Sequence, residues 1–114
     1  MLQVALTSFA DEDSAAVCAR KIVGDGLAAC ATLLPNARSI YRWNGALEDT
    51  AETVVLFKVV PEHIEAFRKA LLDMHPYDTP ELIIGVPSWV APDYEAWARG
   101  SDFPSSPSQS ASPQ

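Results

Sequence analysis

The chain is short of cysteine, histidine and positive charge. Its 114 residues include two cysteines, two histidines and eight Lys or Arg against fifteen Asp or Glu, for a formal net charge of −7. Two thiols, Cys18 and Cys30, do not make a disulfide framework. With no Cys-x-x-Cys and no His-x-x-x-His, a closed structural zinc site is not expected. The shortage of clustered Lys and Arg speaks against nucleic acid as a partner, because phosphate binding depends on such clusters. Neither a Gly-x-Ser-x-Gly elbow, a phosphate-cradling loop nor a dinucleotide fingerprint occurs, so the expectation is a protein that is not an enzyme. Long apolar runs are missing too: Leu2 to Leu6 is soon followed by Asp11-Glu12-Asp13. Neither a signal peptide nor a membrane span is expected, and the cytoplasm, with both thiols reduced, is the expected compartment.

Apolar side chains are plentiful, at 48% of the chain, which suits one globular domain. That domain is expected over residues 1–100. Residues 101–114 hold six Ser and three Pro without Lys or Arg, and read as a disordered tail that cannot offset its ordering entropy by burial.

The organising stretch lies between Ala28 and Val60. Arg38-Ser-Ile-Tyr-Arg-Trp43 and Thr53-Val-Val-Leu-Phe-Lys-Val-Val60 flank Asn44-Gly45, and Asn-Gly supplies the two positive φ angles of a type I′ hairpin turn. Residues 38–60 should form one long β-ribbon. Only Lys58 interrupts the apolar run Val54 to Val60, and Ala28 to Leu34 is similarly apolar, so both faces of these strands need cover.

Around the ribbon the pattern is regular. Gln3 to Ser8 reads as a strand, and Ala15, Cys18, Ala19 and Ile22 mark an amphipathic helix with acidic residues at its start and Gly24 and Gly26 at its end. Pro61 opens a second helix with a stripe of Ile64, Phe67, Leu71 and Met74, and Pro76 ends it. His75 to Glu81 is a rigid connector into the strand Leu82 to Val86, and a third helix starts at Ala91, with Tyr94, Trp97 and Ala98 on one face and Gly100 as its stop. The order β-α-β-β-α-β is that of the α+β, ferredoxin-like split βαβ fold, with two helices on one face of a four-stranded antiparallel sheet. Two helices cover one face of a sheet whose strands are apolar on both. A closed homo-oligomer would bury the other face and the ribbon edges.

Four stretches resemble the CutA family of divalent-cation-tolerance proteins: Leu27-Ala-Ala-Cys-Ala-Thr-Leu-Leu-Pro35, Ser39-Ile-Tyr-Arg-Trp-Asn-Gly45, His75-Pro-Tyr-Asp-Thr-Pro-Glu81 and Tyr94-Glu-Ala-Trp97. The resemblance implies a homotrimer of ferredoxin-like subunits, similar in architecture to the PII signalling proteins, and an association with copper and other divalent metals. The chain departs from some members in two places. Thr7 stands where they carry a cysteine, and Met74-His75 stands where they carry two histidines.

Two groups of residues are candidate sites. His75, with Met74 beside it, offers an imidazole and a soft thioether for a divalent metal, copper included; the alternatives are a helix-capping histidine and a core methionine. Arg42, Trp43, Lys58, Tyr77 and Glu81 would line a small-molecule cleft between subunits if one ribbon meets the neighbouring connector, or else anchor that interface. Glu48, Asp49 and Glu52 are expected on a solvated ribbon edge. Two functional readings follow: a trimeric metal-associated tolerance protein, or a PII-like sensor that binds a small molecule at inter-subunit clefts and signals to a protein partner.

Overall fold

The computed structural model describes residues 1–100, so the expected tail, 101–114, lies outside the described residues. In chain order come β1 (Gln3–Phe9), α1 (Glu12–Gly24), β2 (Cys30–Trp43), β3 (Ala46–Val59), a 3-10 turn (Pro61–His63), α2 (Ile64–Met74), β4 (Leu82–Gly85) and α3 (Pro92–Arg99). The strands form one antiparallel sheet in the order β2-β3-β1-β4, the α+β ferredoxin-like arrangement expected from the element order.

Local chemistry sets the helix ends. Asp11 accepts the Ser14 N–H at 2.7 Å as the N-cap of α1, and that bond holds the Asp11 carboxyl below its usual range. At the other end Leu27 N–H reaches Ile22 C=O and Gly26 N–H reaches Val23 C=O, both at 3.0 Å, with Gly26 at φ +77°. This is the Schellman pattern, and it needs a residue that tolerates the left-handed region. Pro61 opens a 3-10 turn and the α-helix proper begins three residues later. His75 is extended at ψ 133°, as the following Pro76 requires.

The ribbon is the longest feature. Asn44 and Gly45 sit at φ 50° and 80°, the left-handed pair the Asn-Gly turn demands. β3 pairs with β1 only over Thr53–Val59, so Ala46–Glu52 and its β2 partners extend past the sheet and the molecule reaches 52 × 26 × 26 Å. Between Leu34 and Ala37 the pairing register shifts by one residue, with Asn36 at φ 60°. This β-bulge swaps the faces of β2: Cys30, Thr32 and Leu34 share a face with Val54, Leu56 and Lys58, and beyond the bulge so do Ala37, Ser39, Tyr41 and Trp43 with Glu52, Thr50 and Glu48.

One face of the sheet meets α1 and α2. Ala5, Phe9, Val55, Phe57 and Val59 pack there against Ala15, Cys18, Ile22, Phe67 and Leu71, and Phe57 meets Phe67 edge-on with ring centroids 5.1 Å apart. Each large side chain buried this way is worth about 1.5–3 kcal/mol. Of the stripe expected on α2, Met74 is the exception: it is exposed, while Leu71 one turn earlier is fully buried.

The second face carries Val4, Leu6, Val54 and Leu56, all half-buried, with Leu34 47% and Ile83 60% exposed. α3 covers one end of it. Its Ala98, Tyr94 and Trp97 pack with Leu2, Val60 and Ala29, and Glu95 accepts the Leu2 N–H at 3.1 Å. The middle of this face has no cover within the described residues of the chain.

Candidate functional site

His75 is a buried node. It is 7% exposed, its ring stacks on Phe9 with centroids 4.3 Å apart, and its Nε2–H donates to the Ser8 C=O at 2.7 Å. Tyr77 N–H donates to Nδ1 at 3.2 Å, which fixes the tautomer with the proton on Nε2. The ring therefore bonds strand β1 and its own connector, and the last carbonyls of α2 are not its partners. A metal ion at either nitrogen has to displace one of these bonds. Thr7 is fully buried with its Oγ1 unpartnered. Among the described residues no three His, Cys, Asp or Glu side chains converge closely enough to hold a metal ion.

A cleft of about 640 Å³ lies on the second face, between the root of the ribbon and the connector before β4. Tyr41, Trp43, Tyr77, Glu52, Asp78 and Glu81 are its principal walls. The bulge at Asn36 makes this possible, since it turns Tyr41 and Trp43 onto the face of Glu52. Tyr77 donates its hydroxyl to Glu52 Oε2 at 3.1 Å, and Ser8 donates to Glu81 Oε1 at 3.4 Å. Burial, and then the Glu52 carboxylate, push the Tyr77 phenol up to about 12. The ring remains neutral and a donor at any ordinary pH.

Of the five residues grouped from sequence, the structure brings Trp43, Tyr77 and Glu81 together and leaves two out. Arg42 is exposed on the opposite face of the ribbon, opposite Leu47. Lys58 lies further along the sheet and donates to Thr32 Oγ1 at 3.0 Å. Glu52, expected on a solvated edge, is half-buried and is the acceptor for Tyr77. Its period-two placement with Val54, Leu56 and Lys58 was the available signal; Tyr41 gave none without the bulge. On the far side of this face Cys30 Sγ lies 3.3 Å from Tyr94 Oη, and burial raises the Tyr94 phenol as well. Cys18 is buried in the core, which pushes its thiol up to about 11 and leaves it inert.

Residues 3–101 match the family described as CutA1 divalent ion tolerance protein. The divalent-cation tolerance protein CutA of Citrobacter koseri is 40% identical over 98 residues, covering 86% of this chain and 85% of its own. Among solved structures, CutA of Xylella fastidiosa is 36% identical with a TM-score of 0.83, covering 88% of this chain and 96% of its own. CutA of Synechococcus elongatus is 35% identical with a TM-score of 0.84, covering 88% of each chain.

Proposed function

Since the chain belongs to the CutA1 divalent ion tolerance family, we propose that it acts in divalent-cation tolerance as a cytoplasmic homotrimer without enzymatic activity. The observation that supports assembly is the second face of the sheet. Val4, Leu6, Leu34, Val54, Leu56 and Ile83 form an apolar surface that the described helices leave open in the middle. Full burial of one such side chain is worth about 1.5–3 kcal/mol, so several per subunit tie folding to association. Three copies are what the family resemblance implies.

The cation is cargo in this reading, and copper is the ion that suits an imidazole beside a thioether, His75 with Met74. Contact there is weak, because it costs the ring one of its two hydrogen bonds. A second reading, a PII-like sensor that passes a ligand-dependent state to a protein partner, is favoured by the cleft walled by Trp43, Tyr77 and Glu81.

The test is growth under metal stress. Cells deprived of this chain should lose growth as copper and other divalent salts are raised, and regain it when the full chain is resupplied. Unchanged sensitivity would remove the tolerance reading.

A further inference from the structure

We propose that Lys58 of each chain pairs with Glu81 of a neighbouring copy, and that this pair fixes the register in which copies meet on the open face of the sheet. This rests on the reading that copies of the chain cover that face, and adds the charged contact that orients them.

The strands carry three basic residues, and their alternation separates them. Arg38 and Arg42, paired with Ala51 and Leu47, lie on the other side of the ribbon. Lys58 alone lies on the second face, level with Cys30 and Val4 and in line with the apolar Leu56 and Val54. It is half-buried, and its Nζ donates to Thr32 Oγ1 at 3.0 Å. An ammonium has three donors and a full charge, and one neutral hydroxyl does not answer them. Among the described residues no ion pair includes Lys58. Once copies cover the face, water no longer solvates this charge, and a buried ammonium then needs a carboxylate.

Glu81 is the complement. It directly precedes β4 and shares the alternation that puts Ile83 on the second face. Its carboxylate accepts from Ser8 Oγ at 3.4 Å and is in no ion pair among the described residues. Glu52, on the same face, is already engaged by the Tyr77 hydroxyl. Within one chain Lys58 and Glu81 do not meet. Lys58 is level with Val4 and Gly85, Glu81 with Ser8, so they stand about 13 Å apart along the strands and roughly 10 Å apart across them. In a closed assembly each copy gives one Glu81 and receives one, so a single rotation matches every Lys58. Opposite charges placed this way fix register, because a slipped contact sets each against apolar surface or its like.

Light scattering over a dilution series of the full chain, with urea unfolding in parallel, tests this on charge reversals. Lys58→Glu and Glu81→Lys should each raise the concentration of half-assembly about tenfold or more, and the double reversal should restore most of that loss. Lys69→Glu, the same reversal on the exposed side of α2, should leave assembly unchanged. If a single reversal does not fold, the milder Lys58→Met and Glu81→Gln complete the cycle, and their combined effect should fall well short of the sum. Losses that simply add in the double variant would overturn the pair and leave the assembly of the parent chain standing, as would an equal loss from Lys69→Glu. A parent chain that is monomeric at every concentration would remove the covering copies and the pair with them.

Discussion

Tyr77 and Glu52, 25 positions apart, are joined by a 3.1 Å hydrogen bond from the phenol to Oε2 that ties the connector leaving α2 to the root of the ribbon. Glu52 is the first residue of β3 beyond its pairing with β1, so the bond holds the ribbon where the sheet stops supporting it.

That bond carries a pH signature. Burial and the Glu52 carboxylate move the phenol from its ordinary value of 10 up to about 12. A phenol whose pKa is higher folded than unfolded contributes stability that is whole below about pH 10 and is lost as pH rises through about 12. Tyr77→Phe should therefore flatten this part of the alkaline stability profile, and Glu52→Gln should bring the phenolate absorbance step of Tyr77 to lower pH. A Tyr77 phenolate that titrates near 10 in the folded protein would contradict the geometry.

Asn36 is the second test point. It holds the left-handed conformation of the bulge that places Tyr41 and Trp43 on the face of Glu52. Asn36→Gly should leave stability within about 0.5 kcal/mol. Asn36→Val should cost about 1–2 kcal/mol, because a β-branched residue is strained at that φ. Equal denaturant midpoints for the two variants would show that the bulge is not strained at this residue.

His75 carries structure before it carries metal. His75→Ala removes the stack on Phe9 and leaves the Ser8 C=O and the Tyr77 N–H unpaired, and should cost about 2–4 kcal/mol in urea unfolding. Met74→Leu, on the exposed end of α2, should leave stability almost unchanged. Calorimetric titration with Cu(II) should find weak binding in the parent chain, reduced in both variants. Full stability in His75→Ala would contradict the buried node, and unchanged copper affinity in both would remove this pair as the metal contact.

What the sequence made legible were features coded by neighbouring residues. Asn44-Gly45 took up its two positive φ angles, Pro76 held His75 extended, Asp11 capped α1, and the order of elements led to the ferredoxin-like sheet. Features set across the fold were not legible. The acceptor for His75 is Ser8, 67 positions away, and no local pattern points to it. The bulge after Pro35 adds one residue to β2, and one residue is enough to exchange faces, so Tyr41 and not Arg42 shares the face of Glu52. Met74 kept the helical period of its stripe but is exposed at the last residue of α2. The cover that α3 gives to the second face depends on Tyr94 and Trp97 reaching Leu2 and Val60, again contacts between segments far apart in the chain.

The most direct measurement is the mass in solution. Light scattering on the full chain at micromolar concentration should give about three times the 12.3 kDa of one chain. Leu56→Glu, a charge in the middle of the open apolar face, should lower that mass and abolish the folded circular dichroism spectrum together. A soluble, well-folded monomer at the same concentration would contradict the proposal that copies of the chain cover this face.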